Sequence, residues 1–147
     1  MSGKKFAYSQ FCDDLRFEVG NKISLMGIYT GQMFVEQVPI TLPKLCVTVT
    51  LVVPKNHASV PLAAKLFYQG DVVGSQQIAS DMLEQIKGQF TTDPREDRPE
   101  NIAVTFNFLL TPFNIGSTTP LSAVAYFGDE EWPAGRLDIR LGDPPIT

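Results

Sequence analysis

Cys12, Asp13 and Asp14 stand in a row, and Arg16, Glu18 and Lys22 follow within the stretch FCDDLRFEVGNKISLMGIYTG, residues 11–31. A thiol beside carboxylates and cations is raw material for nucleophilic catalysis. It is equally what the polar side of a strand pair looks like. For catalysis, Cys12 needs a base, and histidine is the usual one. The chain has a single histidine, His57, in PKNHASVP, which reads as a turn between strands with prolines at both ends. Neither residue sits in a protease signature. A free cysteine buried at a strand end is inert, and that is the expectation for Cys12.

Metal chemistry fares no better. Zinc takes three or four Cys, His or carboxylate ligands, and one histidine with two widely spaced cysteines does not supply such a set. Calcium needs only oxygens, and Asp13 and Asp14, Asp129 with Glu130 and Glu131, and Asp138 with Asp143 could meet at one end of a β-domain. Adjacent carboxylates on a strand point to opposite faces, however, and no calcium-loop spacing is present. Sixteen acidic residues offer too many pairs for any one to be singled out as an acid–base couple. No phosphate-cradling glycine loop and no Gly-x-Ser-x-Gly elbow occurs. The expectation is a protein without catalytic residues, cofactor or metal.

The bulk properties narrow the partners. A chain of 147 residues with 44% hydrophobic and 19% charged residues has the composition of one globular domain, 1–147. A net charge of −4 disfavours nucleic acid, which needs clustered Lys and Arg; Lys4 and Lys5 make no patch. No apolar run approaches the ~20 residues of a membrane helix. The start, MSGKKFAYSQF, lacks the apolar stretch of a secretory signal. A cytoplasmic protein is expected, with Cys12 and Cys46 as reduced, buried small hydrophobes.

The elements that must position these residues are strands. LCVTVTLVV, 45–53, alternates Leu45, Val47, Val49, Leu51 and Val53 against Cys46, Thr48, Thr50 and Val52, between Pro43 and Pro54. IAVTFNFLL, 102–110, places Ile102, Val104, Phe106, Phe108 and Leu110 together. RLDIRL sets Leu137, Ile139 and Leu141 against Arg136, Asp138 and Arg140. Turns are expected at Gly20-Asn21, at Gly70-Asp71 and across a longer tip at 128–135. Eight to ten strands follow, near 5–12, 15–19, 22–30, 32–36, 45–53, 62–69, 72–79, 102–110, 121–128 and 136–141. One short helix is expected at 80–87, capped by Asp81 and stopped by Gly88. TTDPREDRPEN, 91–101, has no apolar residue except its prolines and reads as a surface loop. The fold class is all-β, an antiparallel β-sandwich, immunoglobulin-like or similar, with a closed barrel second.

Within that frame the opening charges become architecture. Asp13 and Asp14 sit at the mouth of a turn, where Asp accepts backbone N–H groups. Arg16, Glu18 and Lys22 neighbour one another across the hairpin. Leu15, Phe17 and Val19 form the inward face, with Ile23 and Leu25 opposite, and Gly27 beside Tyr29 suggests close backbone approach or packing of the ring over the glycine. Trp132, in GDEEWPAG, stands at a hairpin tip, where a tryptophan packs back on its own hairpin or anchors a partner.

The block Phe11, Cys12, Asp13, Asp14, Leu15, Arg16, then Glu18, Gly20, Lys22, Ser24, Leu25, Gly27, Ile28 and Tyr29, resembles an uncharacterised family of small bacterial and bacteriophage proteins. Its members share a Cys-Asp-Asp-Ile/Leu-Arg opening, a Gly-x-Lys-x-Ser-Leu-x-Gly-x-Tyr strand and a later Leu-Pro-x-Leu, here Leu42, Pro43, Lys44 and Leu45. The similarity covers residues 6–53. It implies a bacterial or phage source and a β-rich domain, and carries no residue role. The leading expectation is a non-enzymatic protein-binding module, such as a phage accessory factor acting on host proteins. Its partner-binding candidates are Trp132, Asp13, Asp14, Arg16 and Glu18. A virion decoration or tail-associated subunit is the alternative, and a calcium- or small-ligand-binding sandwich the third. An unpaired edge strand would also permit a homodimer.

Overall fold

A computed structural model gives the architecture, and the residues described are 5–54, 60–79 and 101–144. They form eleven strands: β1 (Phe6–Glu18), β2 (Lys22–Tyr29), β3 (Gln32–Val35), β4 (Ile40–Leu42), β5 (Leu45–Pro54), β6 (Leu62–Tyr68), β7 (Asp71–Ile78), β8 (Asn101–Leu110), β9 (Phe113–Ile115), β10 (Leu121–Phe127) and β11 (Glu130–Leu141). One sheet has the order β2-β1-β5-β8, a second β3-β11-β10-β6-β7, and β4 pairs with β9 as a short ribbon. The protein is all-β, and neither large sheet closes into a barrel among the described residues. The helix expected at 80–87, His57 and residues 91–100 of the acidic loop lie outside the described residues.

Alternation places the core as the sequence implied. Leu45, Val47, Val49, Leu51 and Val53 of β5 are all fully buried. Ile102, Phe106 and Phe108 of β8 join them, with Val104 and Leu110 packed at the margin. From the five-stranded sheet come Leu62, Ala64, Leu66, Leu121, Ala123, Ala125, Leu137 and Ile139, and the two sets share one apolar cluster. Burying a Val or Leu side chain in this way contributes about 1.5–3 kcal/mol. The sheets approach with β1 against β11, β5 against β10 and β8 against β7. On the β1 side, the Ser9 hydroxyl donates to the Ala134 carbonyl at 2.8 Å. Ala134 is the extra residue of a bulge between the Ala123–Gly135 and Val124–Pro133 pairs.

Several expectations need correction. The segments 5–12 and 15–19 are one strand, β1, because both pair with the same antiparallel neighbour without a break in register. The hairpin expected over Gly70-Asp71 turns one residue earlier: Tyr68 pairs with Asp71, and Gln69 and Gly70 take φ +55° and +81°. Two successive residues at positive φ match the strand twist in a two-residue turn. The pairing is not wholly antiparallel, since β3 runs parallel to β11 from Asp138–Gln32 to Leu141–Val35. Leu141, expected inward, is 55% exposed at the end of that ladder. The three-residue strands β4 and β9 add to the strands that the sequence pattern predicts.

Trp132 is not at a hairpin tip. The β10–β11 turn is Gly128-Asp129, with Phe127 opposite Glu130, so the strand has already begun and Trp132 faces Ala125. Its ring packs edge-on against Phe127 at 5.7 Å, and the Lys5 ammonium lies 6.0 Å from it while pairing with Glu130.

Candidate functional site

The residues that opened the sequence reading converge where β1 leaves the four-stranded sheet. The β1–β5 ladder runs from Phe6–Val52 to Cys12–Cys46, and the latter is its last pair. Beyond it, among the described residues, 14–18 pair with β2 alone, from Asp14–Met26 to Glu18–Lys22. A thirteen-residue strand has outrun its neighbour, so the β1–β2 hairpin continues as a two-stranded arm.

The root of the arm is densely connected. Gly27, opposite Asp13, has φ +68°, and a Cβ there would stand 2.3 Å from the Asp13 carboxylate. That carboxylate accepts a hydrogen bond from the Tyr29 hydroxyl at 2.5 Å. Gly27 therefore makes room for Asp13, not for the Tyr29 ring. Burial, reinforced by Asp13, holds the Tyr29 phenol far above its ordinary range. Asp14 accepts the Leu15 N–H at 2.9 Å and the Lys44 ammonium at 2.6 Å. The Lys44 bond, then the Leu15 N–H, pull the Asp14 carboxyl below its usual pKa, and Asp14 raises Lys44 in return. The expected backbone bond at Asp14 is present, although both aspartates lie within a strand and not at a turn mouth.

The two cysteines are neighbours. Cys12 and Cys46 face each other across β1 and β5, both fully buried, in a small cluster with Leu15 that Leu25 borders. The Cys12 thiol donates to the Asp14 carbonyl at 3.3 Å. Burial, then the facing Cys46, push Cys12 up to about 11; burial also raises Cys46, against the opposing pull of Lys44. At neutral pH both are thiols, not the thiolates that act as nucleophiles. Among the described residues, no three His, Cys, Asp or Glu side chains gather as a metal site.

The arm itself overturns the expected inward face. Leu15 and Leu25 are cross-strand partners, as are Phe17 and Ile23. Leu15 is buried, but Phe17 is 68% exposed, Ile23 37% and Val19, in the turn beyond, 93%. The physical reason is a change of side at Asp13. Cys46 alternates with the core residues Leu45 and Val47, so its side chain lies on the outer face of the sheet. Leu15 packs with Cys12 and Cys46 on that outer side, so the alternation of residues 6–12 does not carry through the arm. Leu15, Phe17 and Ile23 thus extend the outer face into solvent. The opposite side of the arm carries Arg16 opposite Ser24 and Glu18 opposite Lys22, and the Ser24 hydroxyl donates to Glu18 at 2.8 Å.

The outer face continues across the sheet. Ile28, Cys12, Cys46 and Leu109 form one row over four strands, with Ile28 and Leu109 exposed at its ends. Tyr8 and Phe6, stacked at 6.3 Å, are also exposed, while Thr50 and Thr105 share a hydroxyl bond of 2.9 Å. Of the sequence candidates, Asp13, Asp14, Arg16 and Glu18 belong to the arm and its root; Trp132 does not. Cys46, Lys44, Tyr29, Phe17 and Ile23 were not singled out as site residues. The signal available for Phe17 and Val19 was their closeness to a turn that overshoots β5.

Fold and site together define an all-β protein with a two-stranded amphipathic arm rooted in a thiol–carboxylate cluster. The chain matches a family of unknown function, DUF6941, over residues 7–139, and belongs to it. No curated protein and no solved structure matches the chain. Among the described residues, no helix is long and apolar enough to cross a membrane.

Proposed function

We propose that the protein is a non-enzymatic protein-binding module: an immunoglobulin-like β-sandwich that engages a protein partner through the β1–β2 arm. The sandwich reading is supported by the shared core of the two large sheets. It is also supported by the orders β1-β5-β8 and β11-β10-β6-β7, which follow the A-B-E and G-F-C-C′ orders of immunoglobulin-like domains.

The observation that carries the binding reading is the apolar side of the arm, where Phe17, Val19 and Ile23 stand in solvent beside a buried Leu15. An isolated two-stranded ribbon is marginal in water, and contiguous exposed apolar surface marks interaction sites. The outer edge of β2 pairs with no strand among the described residues. A partner segment laid along that edge would satisfy its backbone groups while its side chains cover Phe17 and Ile23, the logic of β-augmentation.

The test is photo-crosslinking from a benzophenone amino acid at position 17, in cells that produce the protein, with position 119 as control. A discrete protein adduct at 17 that is absent at 119 is expected. Identical adduct patterns at the two positions would remove the arm as the binding surface.

A further inference from the structure

We propose that Cys12 and Cys46 are a disulfide-forming pair, oxidised by exchange with a low-molecular-weight disulfide, whose bond closes the root of the arm. The register is the main argument. The two residues are direct Cα partners in an antiparallel ladder. Facing residues in such ladders have Cα atoms about 4.5 or 5.5 Å apart, and a disulfide takes Cα separations of about 4.4–6.8 Å. Their side chains lie on one side of the sheet and share one small cluster. Both are free thiols. The ladder therefore holds the two residues at a backbone spacing that a disulfide accepts.

The position gives the bond a consequence. Cys12–Cys46 is the last rung before β1 parts from β5. A covalent link there ties the arm to the sheet at the last β1–β5 rung. Reduced, that junction is held by the ladder, by the packing of Leu15 and Leu25, and by the Asp14–Lys44 and Asp13–Tyr29 bonds.

The exchange balances as follows. One protein thiol loses its proton and attacks a sulfur of the small disulfide, expelling a small thiolate and leaving a mixed disulfide. The facing thiol, deprotonated in turn, attacks the protein sulfur and expels the second small thiolate. Both leaving groups take up protons. Two protein thiols have lost two electrons and two protons, and the small disulfide has gained them. Burial of both sulfurs slows the first attack.

The experiment is an equilibrium measurement on the full chain, independent of whether the arm binds a partner. The protein is equilibrated anaerobically with oxidised and reduced glutathione, in buffer and in unfolding urea, then quenched with acid and alkylated for mass spectrometry. Equilibrium is approached from the reduced side and from chains oxidised in urea and refolded, so slow access does not decide the answer. The expected result is an effective thiol concentration at least 10-fold higher in buffer than in urea. Cys46→Ala gives only the mixed disulfide. An effective concentration in buffer equal to or below that in urea overturns the proposal, because the folded frame would not favour the bond.

Discussion

Three residues on or just past β1 allow the arm to be tested by stability alone. Leu15, Phe17 and Val19 are of similar apolar character, yet their exposures rise from 5% to 68% to 93%. Truncating Leu15 to alanine removes buried methyl groups and leaves a cavity, at a cost of about 3 kcal/mol. A phenylalanine brings roughly 200 Å² of surface; with about a third of it covered, Phe17→Ala costs ~1.5 kcal/mol at ~25 cal/mol per Å². Val19→Ala stays within about 0.5 kcal/mol, as surface changes do. Urea unfolding followed by the fluorescence of the single tryptophan, Trp132, reads all three, because Trp132 is packed on Phe127 in the other sheet. The slope must remain constant across the series for the midpoints to be compared. The order Leu15, Phe17, Val19 is the expected result. Equal losses of ~3 kcal/mol at all three would mean that the chain itself buries this face, and the arm would not be a free surface.

Five further outcomes follow from the root of the arm. Gly27→Ala forces a side chain into φ +68° and against the Asp13 carboxylate; the left-handed backbone and the displaced Tyr29 bond together cost ~2–3 kcal/mol. The Asp13→Ala/Gly27→Ala double variant should lose less than the sum of the singles, and strict additivity would contradict the contact. Asp14 is held below its ordinary pKa by Lys44, so this stabilisation is present above about pH 4 and lost as pH falls through the lowered value. The difference in thermal midpoint between wild type and Lys44→Met should therefore close on acidification; a gap that persists at low pH would count against the pair. At alkaline pH the unfolded Cys12 ionises near its ordinary value of 9.0 while the folded thiol holds its proton to about 11. Cys12 alone should therefore lower stability between those values by at most ~1.4 kcal/mol per pH unit, and Cys12→Ala should flatten the decline in urea midpoints. Tyr29, held up by burial and by Asp13, should stay un-ionised in an ultraviolet titration until the alkaline protein unfolds.

The two-sheet core was legible because β5, β8 and β11 beyond its bulge are regular: side-chain parity alone separates Val47 and Val49 from Thr48 and Thr50. Parity failed where the backbone departs from a regular strand. At Asp13 and Gly27 the strand changes side, and one step of phase sends Phe17 outward. The facing of Cys12 and Cys46, and of Asp14 and Lys44, depends on pairing between segments far apart in the chain, which no local pattern encodes. Trp132 was misplaced because glycines at 128 and 135 suggested a wide tip, whereas Gly135 serves a bulge packed on Ser9. β4 and β9, at three residues each, are too short to show a period.

Whether another protein covers the arm is read most directly by hydroxyl-radical footprinting of the isolated chain and of the assembly recovered with it from producing cells. The isolated chain should be labelled strongly at Phe17 and Ile23 and hardly at the buried Phe11 and Phe106. In the recovered assembly, Phe17 and Ile23 should become protected while other exposed residues such as Val72 do not. Labelling at Phe17 and Ile23 that is the same in both samples would contradict a binding role for the arm.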